Sequence, residues 1–300
     1  MASQTISTTN PALGRRVTAA GIDTNFLDQG AGDSKPVVLL HGSGPGVSAY
    51  ANWRLTLPAL AAERRVVAPD LVGFGYTERP PGHQYSMTNW VSHAEAFLDA
   101  VGLDSLSLVG NSFGSAMALE LAVRLPERVR RVVLMGSVGV PFQLTEGLDA
   151  VWGYTPSVPG MREVLDYFAY DETLVDDDLA QTRYAASIQP GFQESFAAMF
   201  PPPRQRWVDS MVVDETAIRS IQCPTLIVHG REDRIIPPDT SRRLFELIPN
   251  AQLHMFGQCG HWTQIEHAGR FNELVVDFLA EGDQIPGSSA AAARKGTQHA

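Results

Sequence analysis

Cysteine is scarce in this 300-residue chain. Only Cys223 and Cys259 occur, so a disulfide scaffold is excluded and one optional bridge is the limit. Long apolar runs are missing too. No stretch approaches the ~18 uninterrupted apolar residues of a membrane-spanning helix, and no membrane association is expected. Charge is modest, 19% of residues against 44% apolar, the opposite of a disordered chain. Positive charge is in deficit: 23 Lys and Arg face 33 Asp and Glu, a net charge of −10. So acidic a surface repels phosphate backbones and makes nucleic acid a poor partner. An anionic small molecule would need a local arginine to override that field. The histidines are scattered, with neither His-x-x-x-His nor paired-cysteine spacing, so no metal site is read. No Gly-x-Gly-x-x-Gly opens a helix after the first strand, so no dinucleotide is expected, and no cofactor at all. The first residues lack a basic segment followed by an apolar run; no secretory signal is read and a cytoplasmic location is expected. Residues 286–300 are small and polar without periodicity and read as a flexible tail.

What is present is alternation. Short apolar runs at 37–40, 65–68, 105–109, 129–135, 225–228 and 253–256 each close on or near a glycine, proline or histidine. Continuous apolar runs of this length are what strands covered on both faces look like. Helical periodicity lies between them at roughly 51–62, 87–101, 113–125, 241–247 and 268–279. A hairpin turning at Gly21 is expected from 16–20 and 24–28. Together these predict an α/β fold with a mostly parallel sheet. The alternation breaks at 141–222, which is helical in pattern and punctuated by Pro156, Pro159, Pro190 and Pro201-Pro202-Pro203. The expected organisation is therefore a core of 1–140 and 223–285 with a helical lid, 141–222, inserted between strands. Open α/β sheets bind ligands beyond the carboxyl ends of their strands, where such an insertion would sit.

Gly110-Asn111-Ser112-Phe113-Gly114 matches Gly-x-Ser-x-Gly. The match alone is common by chance. Its setting, directly after a strand run and directly before a helix, is that of a nucleophile elbow. A serine hydroxyl is a weak nucleophile at neutral pH and needs a base and an acid to orient it. In this arrangement the chain order is Ser, then Asp or Glu, then His. His229-Gly230-Arg231-Glu232-Asp233 follows one later strand run, and Gly257-Gln258-Cys259-Gly260-His261-Trp262 follows the next. His261 is the candidate base. Spacing alone does not choose between Glu232 and Asp233 as the acid. His229 and His254, within or at the edge of strands, read as structural; His83, His93, His267 and His299 read as loop, helix-surface or tail residues. An oxyanion needs two aimed donors. The amide of Phe113 is one, and the glycine-rich loop at 41–46 offers the amide of Ser43 as the second, with His41 in support. Cys259 reads as buried packing near His261.

With these residues in view the chain resembles the meta-cleavage-product hydrolases, carbon–carbon bond hydrolases of the α/β-hydrolase superfamily that act on ring-opened catechols. The segments that carry the likeness are 41–53, Gly-Asn-Ser-Phe-Gly at 110–114, 150–157, 183–196, His-Gly-Arg-Glu-Asp at 229–233 and Cys-Gly-His-Trp-Thr-Gln at 259–264. The elbow and triad belong to the whole superfamily. The Gly-Pro-Gly loop, Asn111, Arg183 and His-Trp in combination are narrower, and the monocyclic-substrate branch is the most similar. The resemblance implies an eight-stranded, mostly parallel sheet, and it favours Asp233 as the acid. It implies a small anionic 2-hydroxy-6-oxo-2,4-dienoate as substrate, with Arg183 pairing with its carboxylate. Asn52, Asn111 and Trp262 would hold the polar end, and Phe168 would pack on the dienoate from the lid. Val138 is expected to narrow the acyl pocket and favour formyl or acetyl over phenyl. Assembly into a homo-oligomer is expected by similarity. Ser43 stands where other branches carry glycine, and Ser115 follows the elbow where glycine is frequent. A serine esterase or lactonase on the same elbow, and a non-catalytic receptor for small molecules, are the competing readings.

Overall fold

The computed structural model describes residues 10–32 and 34–281. The expected tail falls outside them. An antiparallel hairpin, β1 (Arg15–Ala19) and β2 (Ile22–Gln29), opens the chain and is followed by β3 (Val37–Leu40). Two short helices come next, α1 (Ala49–Trp53) and α2 (Leu57–Ala61), where the sequence predicts one from 51 to 62. Pro58, in the first turn of α2, explains the break. It has no N–H to continue the ladder and restricts the residue before it. Then come β4 (Val66–Pro69), α3 (Met87–Ala100), β5 (Leu106–Asn111), α4 (Phe113–Arg124) and β6 (Val129–Met135).

Between β6 and the next strand the chain is helical, as its pattern predicts: α5 (Glu146–Trp152), α6 (Val158–Phe168), a 3-10 turn, α7 (Asp177–Ser187), α8 (Phe192–Met199), α9 (Gln205–Asp209) and α10 (Glu215–Arg219). Serine, threonine or aspartate side chains cap the N-termini of α5, α6 and α7 (Thr145, Ser157 and Asp176). The chain closes with β7 (Thr225–Gly230), α11 (Pro238–Leu247), β8 (Ala251–Phe256), α12 (Thr263–Glu266) and α13 (Ala268–Ala280).

The eight strands form one sheet in the order β1-β2-β4-β3-β5-β6-β7-β8, antiparallel across β1, β2 and β4 and parallel from β4 onward. Alternate residues of the central strands face opposite layers. Val38, Leu108, Val132 and Ile227 join a core with α3 and α4; Leu39, Val109, Val133 and Val228 join one with Trp53, Leu60 and Phe271. Burial on both faces explains why these strands read as unbroken apolar runs. The register sets Leu40 opposite Gly110 and Asn111 opposite Met135, so β3, β5 and β6 end together. The loops after β3, β5, β6, β7 and β8 thus emerge along one rim, beneath α5–α8. Among the described residues no helix is long and apolar enough to cross a membrane.

Candidate active site

Ser112 stands at the turn between β5 and α4 with φ 54° and ψ −117°, a backbone shape that side chains rarely adopt. Such strain costs on the order of 1–3 kcal/mol and persists only where surroundings over-determine it. Here the Ser112 N–H donates to the Met135 carbonyl at 2.8 Å, and its carbonyl accepts from the Ser115 N–H at 2.8 Å and the Ser115 hydroxyl at 2.6 Å. The Ser115 hydroxyl in turn accepts from the Val138 N–H at 2.8 Å, so this departure from the usual glycine ties the elbow to the end of β6. Both motif glycines are required by close approach. A Cβ on Gly110 would lie 2.3 Å from the Gly114 carbonyl oxygen, and one on Gly114 would lie 2.1 Å from that of Leu40.

His261 follows β8, and its Nδ1 meets Asp233 Oδ2 at 2.7 Å. Asp233 follows β7, and its other oxygen accepts the N–H groups of Ile235 and Ile236 at 2.8 and 2.9 Å. Burial pushes the Asp233 carboxyl up. The charge of His261 and the hydrogen bonds from His229 and His261 outweigh it and hold the carboxyl well below the usual range. Asp233 rather than Glu232 is therefore the carboxylate that touches His261. Glu232 instead accepts the Cys259 N–H at 3.0 Å and pairs with Arg231.

His229, read from sequence as structural, has a closer part. Its Nε2 lies 3.0 Å from Asp233 Oδ2 and 3.0 Å from the Ile236 carbonyl, while its Nδ1 meets the Ser241 hydroxyl at 2.6 Å. With the proton on Nε2 it donates to the Asp233 carboxylate. The four-residue spacing to Asp233 across the end of β7 is the signal the sequence carries for this contact. His93 is a correction. It is buried on α3 rather than surface-facing, bonded to the Thr24 hydroxyl at 3.0 Å, and burial pushes it down to about 4. Cys259 is buried outside the cavity wall, and burial pushes its thiol up to about 12, which leaves it inert.

Ser112 and His261 line one cavity of about 530 Å³ together with Asn52, Asn111, Phe168, Arg183 and Trp262. Among the described residues, neither the Ser112 hydroxyl nor His261 Nε2 has a hydrogen-bond partner. Such bonds tighten when substrate is bound. Gly136, at the end of β6 with φ 53°, makes room for the ring: a Cβ there would sit 2.8 Å from His261 Cε1. The backbone N–H groups of Ser43 and Phe113 are also without protein acceptors among the described residues. His41 braces the Ser43 loop, its Nε2 accepting the Leu71 N–H at 3.0 Å and its Nδ1 meeting the Gly42 carbonyl at 2.8 Å. Burial pushes His41 down to about 4, so the ring is neutral at pH 7. The Ser43 hydroxyl accepts from Trp152 Nε1 at 3.0 Å, a tie from the loop to α5 that no sequence pattern suggests.

Asn52 Oδ1 accepts from Asn111 Nδ2 at 2.8 Å and from the Gly42 N–H at 3.3 Å. That leaves Asn52 Nδ2, a donor, and Asn111 Oδ1, an acceptor, buried without partners. Arg183 on α7 is partly buried, held by the Pro45 carbonyl at 3.1 Å, and forms no ion pair among the described residues. Burial and the nearby Arg54 push it down to about 10, still a cation at neutral pH. Phe168 ends α6, 5.6 Å from the His261 ring and stacked on Trp262 at 5.0 Å. Its carbonyl accepts the His261 N–H at 2.7 Å. Glu266 fastens the same junction, accepting the N–H groups of Gly260 at 2.8 Å, Tyr170 at 2.7 Å and Asp171 at 3.1 Å. On the far side of Ser112, Val138 lines an apolar space of about 220 Å³ with Phe142, Trp152, Val208 and Met211. Among the described residues no group of three or more His, Cys, Asp or Glu side chains could hold a metal ion.

Ser43, Asn52, Asn111, Ser112, Phe168, Arg183, His261 and Trp262 thus line one cavity, Asp233 touches His261, and Phe113 and Val138 line the space on the far side of Ser112. A serine on a strained strand-to-helix turn, followed along the chain by aspartate and histidine at two further strand ends, defines an α/β hydrolase. The family profile described as alpha/beta hydrolase fold matches residues 35–268. The chain is 62% identical over 274 residues to a 2-hydroxymuconate semialdehyde hydrolase of Pseudomonas sp. strain CF600, covering 91% of this chain and 96% of that one. It is 61% identical over 274 residues to a 2-hydroxy-6-oxo-2,4-heptadienoate hydrolase of Pseudomonas putida F1, covering 91% and 99%. The solved meta-cleavage product hydrolase of Pseudomonas fluorescens IP01, complexed with acetates, superposes with a TM-score of 0.89 at 57% identity, covering 91% and 99%. The chain belongs to the meta-cleavage-product hydrolases of the α/β-hydrolase family.

Proposed function

We propose that this protein hydrolyses the C5–C6 bond of 2-hydroxy-6-oxo-2,4-dienoates that carry hydrogen or methyl on C6, so that the acyl group released is formyl or acetyl. The observation that carries the reading is one cavity holding both a nucleophilic serine and a cation without a counter-ion, Ser112 and Arg183. An esterase needs the first; an anionic dienoate needs both. The Arg183 guanidinium binds the C1 carboxylate through two parallel bonds. Asn52 Nδ2 donates to the carboxylate or C2 oxygen, and Asn111 Oδ1 accepts the C2 hydroxyl, which satisfies both orphaned atoms. Phe168 and Trp262 cover the flat diene, and α5–α8 act as a lid that keeps water from it.

Chemistry begins with ketonisation. The proton of the C2 hydroxyl is moved to C5, leaving a C2 ketone conjugated through C3=C4. Without that electron sink C5 cannot leave. The Ser112 hydroxyl then attacks C6 as His261 Nε2 takes its proton, with Asp233 holding the ring in the tautomer whose Nε2 is free. The Ser43 and Phe113 amides receive the C6 oxyanion; one such donor is worth about 3 kcal/mol of barrier. The C5–C6 electrons pass through the diene to the C2 oxygen, giving 2-hydroxypenta-2,4-dienoate after proton return. Water activated by His261 releases formate or acetate from Ser112. Val138 shortens the space beyond Ser112, which favours these small acyl groups.

Steady-state kinetics on dienoates differing only at C6, beside p-nitrophenyl acetate, test the reading. It predicts kcat/KM highest for formyl and methyl, lower for phenyl, and far lower for the ester. A comparable kcat/KM for the phenyl ketone contradicts the role of Val138, and an ester preference contradicts the whole assignment.

A further inference from the structure

A second cavity, about 720 Å³, lies against the first and shares Asn52, Arg183 and Trp262 with it. Arg183 therefore stands in the partition. The outer cavity is walled by Arg54, Asp176, Gln264 and Leu174. Leu174 and Asp176 are exposed, which places this side of the site at the protein surface. Arg54 caps the end of α1, its guanidinium donating to the Ala51 carbonyl at 3.1 Å and forming no ion pair among the described residues. It is near enough to Arg183 for the two charges to repel. Asp176, the acid in the same wall, is engaged with the Leu179 N–H at 2.7 Å and pairs with neither arginine. Gln264 adds a second, independent sign of a ligand: it is almost fully buried, and its Oε1 has no partner.

Two arginines in one cavity wall without carboxylate partners create, in a protein of net charge −10, a local field opposite to the global one. One carboxylate, held at Arg183, does not account for Arg54. We propose that the outer cavity is an anion-binding vestibule in which Arg54 holds the carboxylate of the dienoate on its way to, and of the dienoate product on its way from, Arg183. The inference rests on the dienoate reading above. Geometry sets the order of events. Arg183 lies at the partition and Ser112 beyond it, so the acyl end passes first and the carboxylate follows, moving from Arg54 to Arg183. After C5–C6 cleavage the remaining dienoate leaves carboxylate first, back across Arg54. Gln264 Oε1 accepts the C2 hydroxyl beside the carboxylate while the molecule is in the vestibule.

The test is Arg54→Gln with Arg54→Lys as the conservative partner, assayed on the formyl dienoate at several ionic strengths. Arg54→Gln is expected to lower kcat/KM about three- to tenfold at low salt, with kcat within about twofold of the unsubstituted enzyme. The gap should shrink towards ~0.5 M salt as screening removes the field, and Arg54→Lys should restore most of the loss. Inhibition by added 2-hydroxypenta-2,4-dienoate should weaken in parallel. Unchanged kcat/KM at low salt, or an equal loss in kcat, would overturn the vestibule while leaving the hydrolase intact. No turnover of any dienoate by the unsubstituted protein would overturn the functional reading instead.

Discussion

Asp233→Asn isolates what the buried carboxylate does for its histidine. The substitution changes almost no volume, and the remaining oxygen keeps the Ile235 and Ile236 N–H groups at 2.8 and 2.9 Å. The new amide nitrogen then faces His261 Nδ1 at about the position of Oδ2, 2.7 Å away. An amide nitrogen can only donate, so His261 must accept at Nδ1 and carry its proton on Nε2. That tautomer cannot take the proton of Ser112. His229 loses one acceptor but keeps the Ile236 carbonyl at 3.0 Å, so the fold survives. By analogy with the same tautomer error in serine proteases, kcat should fall between roughly a thousandfold and ten-thousandfold, about 4–5.5 kcal/mol of barrier. Bleaching of the formyl dienoate at pH 7 reads the loss, and the melting temperature checks folding. The pH dependence has a definite sign. The Asp233 carboxyl is held below its ordinary value of 3.8 in the fold, so its stabilisation is complete above about pH 4 and is lost as pH falls below it. Asparagine does not titrate, so any advantage of the unsubstituted protein should narrow below pH 4. A kcat within tenfold of normal in a folded Asp233→Asn protein would refute the reasoning.

Three further outcomes follow from the same geometry. Gly136→Ala puts a Cβ 2.8 Å from His261 Cε1 on a positive-φ residue, so kcat should fall about a hundredfold with only a modest loss of melting temperature. Glu266→Ala removes the acceptor of the Gly260, Tyr170 and Asp171 N–H groups; about 1–3 kcal/mol of stability should go, several degrees by calorimetry, with a fall in kcat that Glu266→Gln partly restores. Arg183→Gln should cost roughly tenfold to a hundredfold in kcat/KM on dienoates and leave p-nitrophenyl acetate turnover nearly unchanged.

The sheet is legible in the sequence because its central strands are buried on both sides, and burial on both sides leaves a short, unbroken apolar run stopped by glycine. The elbow is legible because close backbone approach confines its neighbours to glycine, leaving a mark in sequence. Asp233 is not separable from Glu232 by spacing, since adjacent residues of one loop differ only in where the turn aims them. The help that His229 gives Asp233 escapes a residue-by-residue reading, although both border the same strand end. The Glu266 strap, the Trp152–Ser43 bond and the outer cavity join segments far apart along the chain, and no local pattern records such meetings. The split of α1 from α2 is hidden because apolar periodicity continues through Pro58 while the backbone does not.

The attack of Ser112 on C6 is measured most directly by Ser112→Ala with the formyl dienoate, following loss of the yellow chromophore together with release of formate. The alanine protein should bind the dienoate and release formate at least about a hundredfold more slowly than its parent. Formate release at an undiminished rate from a hydroxyl-free residue 112 would mean that the carbon–carbon bond is broken by something else.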